Sequence, residues 1–212
     1  ALFVPMDFPT IQAAADGVSE GDLVIVRGGT YRENVVFPGT NLHLRSVDPN
    51  DQEVVEGTVI QGVPVVGETY YSVLTFNGTE TPDFVLEGLA ITGGYGFRGG
   101  AAVGNNTHGT LQGNLFRNNA AHISGGALFE CDGLINGVRF VSNRADSSGG
   151  ALSDCNGDIV SNLFMGNVAL GGGAAVGCDR GQFRSNVVKL NRAIGGGAFD
   201  ECNADFYSNL IY

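Results

Sequence analysis

Four cysteines fall at Cys131, Cys155, Cys178 and Cys202, at intervals of 24, 23 and 24 residues. Acidic side chains flank them: Glu130, Asp154 and Glu201 come just before, Asp132 and Asp179 just after. No CxxC and no Cys/His pair accompanies the thiols, which argues against a zinc site. Two chemistries stay open for the cysteines. They can pair as disulfides, with Cys131–Cys155 and Cys178–Cys202 joining nearest neighbours, or stand reduced as small hydrophobes. Two stay open for Glu130, Asp132, Asp154, Asp179 and Glu201 as well. With amides such as Asn156 and Asn203 they can supply some of the roughly six to eight oxygens a calcium ion takes, or they can form a solvated acidic edge.

Other reactive residue types are more scattered. His43, His108 and His122 share no common context, and Lys189, the one lysine, has Arg180 and Arg184 near it in sequence. Tyr70, Tyr71, Tyr95 and Phe97 sit in the two least regular stretches, around Gly67 and Gly94. Exposed rings in such loops can stack on the C–H faces of sugars, or they can cover the side of the fold. Asn77-Gly-Thr79 and Asn105-Asn-Thr107 fit the N-glycosylation pattern, a weak signal in a chain so rich in asparagine.

The elements that must position these groups are repeats. GGALFECDGLINGVRFVSN starts at Gly125, and near-copies start at Gly149, Gly172 and Gly196. Alanine follows a glycine pair at Ala101, Ala127, Ala151, Ala174 and Ala198. Hydrophobic columns run through Leu111, Ile135, Ile159, Phe183 and Phe206, and through Phe116, Phe140, Phe164, Val188 and Ile211. Two asparagine columns accompany them. One is Asn114, Asn162, Asn186 and Asn209, interrupted by Val138; the other is Asn119, Asn143, Asn167 and Asn191. A period near 24 with three short strands per period predicts an all-β parallel solenoid, in which each coil buries its inner face only by stacking on its neighbours. Asparagine at the corners tolerates left-handed backbone, and its amide can bond along the stack. In-register coils about 4.8 Å apart bring equivalent cysteines within disulfide reach, while holding their side chains alongside rather than facing.

Residues 7–16, DFPTIQAAAD, read as a short helix capped by Asp7 or Thr10, with Ile11, Ala14 and Ala15 as its apolar stripe. It would cover the open end of the solenoid. The expected organisation is a cap over 1–22, irregular coils with longer loops over 23–98, and regular GGA/FxxN coils over 99–212. The chain begins without an initiator Met or a basic n-region, as a mature product would, and SNLIY stops within a repeat, so the protein is expected to continue past Tyr212.

Twenty-two acids against eleven bases give a net charge of −11, which argues against nucleic acid or anionic membrane as partners. No apolar run approaches the ~18 residues of a membrane span.

FPTIQAAAD…GDLVIVRGGTYRENVVF resembles the opening of right-handed parallel β-helix proteins of the pectate-lyase-like superfamily. The repeated GGA and FxxN units (FRNN, FVSN, FMGN) resemble secreted bacterial β-helix repeats and polymorphic outer-membrane autotransporter adhesins. The resemblance spans essentially the whole chain and implies a right-handed single-stranded parallel β-helix of about 24 residues per coil. It implies an extracellular or cell-surface protein with a structural, adhesive or glycan-binding role, able to associate end to end, and that setting tips the cysteines toward bridges. The alternative is a calcium-dependent polysaccharide lyase acting on acidic glycans, in which Lys189, Arg180 or Arg184 would abstract a proton beside a uronate. The DxxD-plus-distant-Arg layout of pectate lyases is not recognisable here, nor are the aspartate pairs of polygalacturonases and pectinesterases. The same superfamily holds both enzymes and adhesins, so fold alone does not choose between them.

Overall fold

The computed structural model describes residues 1–212. The chain winds into a parallel β-helix whose coils visit the same sheets in the same order. The first sheet stacks nine parallel strands, from Leu2–Val4 and Leu23–Val26 to Gln182–Arg184 and Asp205–Tyr207. The second stacks eight, from Gly29–Arg32 to Leu210–Ile211, and the third seven, from Val35–Val36 to Phe199–Asp200. A fourth, of three short strands (Tyr95–Gly96, Ala120–Ala121 and Arg144–Ala145), lies between the second and third along the chain.

Register follows the columns read from the sequence. Leu111 pairs with Ile135, Ile159 with Phe183, and Phe183 with Phe206 in the first sheet. Phe116, Phe140 and Phe164 pair in the second, their rings stacked at centroid distances of 5.5 and 4.9 Å. Burial of these columns removes apolar surface that no single coil could hide, and the fully buried Phe and Leu side chains form one continuous core.

Two corners of each coil share one device. A residue in the left-handed region turns the chain, and a buried asparagine follows it. Gly113, Ser161 and Ser185 precede Asn114, Asn162 and Asn186; Asn118, Ser142 and Gly166 precede Asn119, Asn143 and Asn167. The ladder asparagines therefore do not occupy the left-handed position expected of them. Their work is hydrogen bonding. Asn143 Oδ1 accepts from the Asn119 N–H (3.2 Å) and from Asn119 Nδ2 (3.1 Å), while Asn143 Nδ2 donates to Phe116 O (3.0 Å) and Asn167 Oδ1 (3.1 Å). The same pattern links Asn162 to Asn186 and Asn186 to Asn209. Each amide satisfies backbone groups that a tight corner takes out of the sheet ladders.

The glycine pair makes the third corner. Gly125 has φ +66°, and a Cβ on Gly126 would meet the Gly150 carbonyl oxygen of the next coil. The same close approach recurs from Gly100 to Gly126 and from Gly150 to Gly173.

The helix at the first end spans Ile11–Gly17 and is capped by Thr10, whose Oγ1 accepts from Ala13 N–H; Ile11, Ala14 and Ala15 are its buried face. Asp7 instead receives the Phe3 N–H, inside the strand-to-helix turn. The chain before the helix does more than cap, since Leu2–Val4 already forms the first strand of the first sheet. A second short helix, Gln52–Gly57, projects from a longer loop. Asp51 caps it, Val55 buries against Ala90 and Leu115, and Glu56 pairs with Arg139 at 2.8 Å.

Candidate functional site

The cysteine column lies inside the coil. Cys131, Cys155 and Cys178 are buried and Cys202 is partly so; all four are free thiols, not disulfides. Each Sγ donates to the carbonyl two residues back, Phe129, Ser153, Val176 and Asp200 in turn. Cys131 ends a strand of the third sheet, and Cys155, Cys178 and Cys202 each stand two residues past the corresponding strand. The Cys155 thiol beside it, and then burial, push Cys131 well above the usual thiol range; Cys202 and burial do the same to Cys178. The neighbouring Cys178 thiol lowers Cys202.

The flanking carboxylates do not gather into one cluster. No three carboxylate, histidine or cysteine side chains converge anywhere in the chain. Glu130, Asp154 and Glu201 occupy a left-handed corner, at φ +53°, +53° and +48°, and the fourth member of that column is Gly177. Asp132 and Asp179 belong to a different column, alternating with Asn156 and Asn203. Asp132 Oδ1 accepts from Asn156 N–H (2.8 Å), Asn156 Oδ1 from Asp179 N–H (3.0 Å), and Asp179 Oδ1 from Asn203 Nδ2 (2.8 Å). Alternating acid with amide keeps like charges two coils apart. Asp132 and Asp179 are thus each engaged by N–H donors of the next coil.

The groups a lyase would use are also dispersed. Arg184 lies in the first sheet, Lys189 in the second, and Arg180 in the corner between the third and the first. His43 is bound to Glu87 at 2.8 Å on the first sheet. His108 lines a groove of about 360 Å³ with Thr79, Thr81, Asp132, Leu134 and Asp158.

The aromatic residues, by contrast, are brought together. Tyr71 and Tyr95 form an antiparallel bridge, each N–H donating to the other's carbonyl at 2.8 and 2.9 Å, which fastens the irregular loop onto the start of the fourth sheet. Tyr70 thereby reaches three other rings: Tyr95 at 5.5 Å, Phe97 at 5.3 Å edge-on, and His122, stacked at 5.1 Å. Phe97 lies 5.8 Å from the His122 ring. Beside them, Arg98 covers the Phe129 ring at 5.0 Å, and Tyr70, Tyr71, Phe97, Arg98 and Phe129 line a hollow of about 310 Å³. Phe97 is 49% exposed and Tyr95 38%, in a chain whose other phenylalanines are mostly interior.

Sequence reasoning placed Tyr70, Tyr71, Tyr95 and Phe97 in loops but did not reach His122, Arg98 or Phe129. The signal for His122 was available: it stands two residues after Ala120, as Phe97 stands two after Tyr95, in the column that pairs those strands. Asp146 continues the line one coil on, its Oδ2 3.6 Å from His122 Nδ1.

The architecture defines a parallel β-helix protein carrying an exposed aromatic cluster on one side. Among solved structures, the pectin methylesterase from Aspergillus niger is similar at 18% identity, over 97% of this chain and 85% of that chain, with a TM-score of 0.46. No family model matches the sequence, and no curated protein matches it. No helix is long and apolar enough to cross a membrane.

Proposed function

We propose that the protein is an extracellular or cell-surface β-solenoid, structural and adhesive, that binds glycan through its aromatic side. The observation behind this reading is the gathering of Tyr70, Tyr95, Phe97 and His122, contributed by separate loops and coils, on a face that the core does not need. Flat rings with polar edges suit sugars, whose C–H faces stack while hydroxyls find hydrogen-bond partners. Ser72, Arg98, His122 and Asp146 supply such partners at the rim. Tyr95 sits on a paired strand, and the Tyr71–Tyr95 bridge holds the neighbouring rings against it, so little ordering entropy is lost on binding.

Phe97→Ala and Tyr70→Ala, tested against immobilised polysaccharides by affinity electrophoresis, are expected to weaken retention by roughly tenfold each, about one stacking contact. Unchanged retention in both variants refutes the role of this face. End-to-end association of such rods is the assembly that accompanies an adhesive role, and sedimentation velocity over a range of concentrations tests it.

A further inference from the structure

Resting on the glycan reading, we infer that the ligand is an anionic glycan charged on alternate sugars, lying along the solenoid axis with Arg144 and Arg192 as anchors. The fourth sheet and the bridges that prolong it align five outward-facing residues on successive coils: Tyr95, Ala120, Arg144, Val168 and Arg192. The next residue in each coil turns inward, as Ala121, Ala145 and Ala169 are buried. A second outward line, two residues further along each coil, runs from Phe97 and His122 through Asp146 to Leu170 and Ile194. Together they form a strip two side chains wide that begins at the aromatic cluster. A shallow groove of about 410 Å³, bordered by Arg144, Asp146, Val168 and Leu170, continues it.

Charge on this strip runs against that of the molecule. The chain carries −11 overall, yet these ten positions hold two arginines and one histidine against a single acid. Arg144 is held upright by Asp146, Nη2 to Oδ1 at 2.8 Å, with the arginine side chain 68% exposed. An ion pair that open to water is weak, and it leaves most of the guanidinium donors free for a ligand anion. No ion pair engages Arg192.

Spacing supplies the pattern. Adjacent coils are about 4.8 Å apart, so Arg144 and Arg192, two coils apart, are separated by roughly 10 Å, the distance an extended polysaccharide covers in two sugars. Val168 lies between them and offers an apolar contact where an uncharged sugar would sit. Tyr95, two coils before Arg144, starts the same alternation with a ring. Guanidinium recognises carboxylate and sulfate alike, through paired N–H donors.

The experiment is calorimetric titration of the full chain with hexasaccharides. Hyaluronan carries carboxylate on alternate sugars, κ-carrageenan carries sulfate on alternate sugars, hexagalacturonate is charged on every sugar, and cellohexaose is neutral. Hyaluronan or κ-carrageenan is expected to bind about tenfold or more tighter than the other two. Arg144→Gln and Arg192→Gln should each lower that affinity about tenfold and leave cellohexaose unaffected. Preference for hyaluronan over κ-carrageenan identifies carboxylate as the recognised group, and the reverse identifies sulfate. Equal affinity for cellohexaose with no effect of either arginine variant overturns the anionic assignment while glycan binding stands. Hexagalacturonate binding as tightly overturns the alternation. Binding of none of the four overturns the glycan reading itself.

Discussion

Replacing Asn143 by alanine tests the ladder on which the coil corners depend. The side chain is fully buried. Its removal leaves the Asn119 N–H and one Asn119 amide hydrogen without the oxygen they reach at 3.2 and 3.1 Å, and takes from Phe116 O the donor at 3.0 Å. Asn167 Oδ1 loses the Asn143 Nδ2 donor at 3.1 Å but keeps the Asn143 N–H at 3.0 Å, so the damage falls mainly on the N-terminal side. Each orphaned buried group costs about 1–3 kcal/mol. Asn119 Nδ2 still donates to Ile91 O at 3.0 Å, which places it at the low end. The three together come to roughly 4 kcal/mol, a large part of the ~5–15 kcal/mol by which a domain is stable.

Urea melts followed by circular dichroism should show that loss, and hydrogen exchange should quicken most at Asn119. A repeat array can open locally, so the exchange rate is the sharper readout. Asn143→Asp separates the parts: it keeps the acceptor for Asn119 but sets oxygen against Phe116 O and Asn167 Oδ1, and should be as destabilising as alanine at neutral pH. A loss under about 1 kcal/mol in Asn143→Ala, or exchange at Asn119 no faster than in the parent, would refute the account of the ladder as satisfaction of corner backbone.

Brief alkylation of the native protein without reductant should modify Cys202 first and leave Cys131, Cys155 and Cys178 untouched, with four adducts after denaturation; fewer than four would mean that bridges exist. Gly126→Ala should lower the melting temperature sharply, because the new methyl meets the Gly150 carbonyl, whereas Gly57→Ala, with open space around it, should not. The hydrogen bond from Arg139 holds Glu56 below the usual carboxylate range. Its ionised form is favoured on folding, so the contribution is present above the ordinary glutamate pKa and lost as pH falls through the depressed one. Glu56→Gln should therefore flatten the acid side of the stability profile, and an unchanged profile would show that the Arg139 contact does not bear on stability.

Much of the fold was legible in the residues because a solenoid writes its geometry into a single period. Columns such as Phe116–Phe140–Phe164 are neighbours in space because they are one repeat apart in sequence, and the register requires no other information. The same logic located the asparagine ladders, although it assigned them the left-handed turn that Ser142 and Gly166 make. It also placed the cysteines one above another, yet did not decide whether they bond, since that depends on the direction of the side chains rather than the spacing of the chain. The candidate carboxylates are divided for a related reason. Adjacency in sequence set Glu130 beside Asp132, while the left-handed backbone at Glu130 and the backbone bonds of Asp132 put the two in separate lines.

What the sequence determined by itself was everything that repeats, the coil, its core columns and its asparagine and glycine corners, together with the capped helix at its start. The tertiary structure decided what does not repeat. Tyr70 and His122 are 52 residues apart, and no periodicity relates them; the Tyr71–Tyr95 bridge folds the irregular loop back so that their rings stack. The line from Tyr95 to Arg192 is likewise invisible as a motif, because its members differ in type and only the pairing of coils sets them on one face. A core column is constrained to like residues by packing and so can be read from the sequence. A surface column is free to vary, and its meaning emerges only when the coils are stacked.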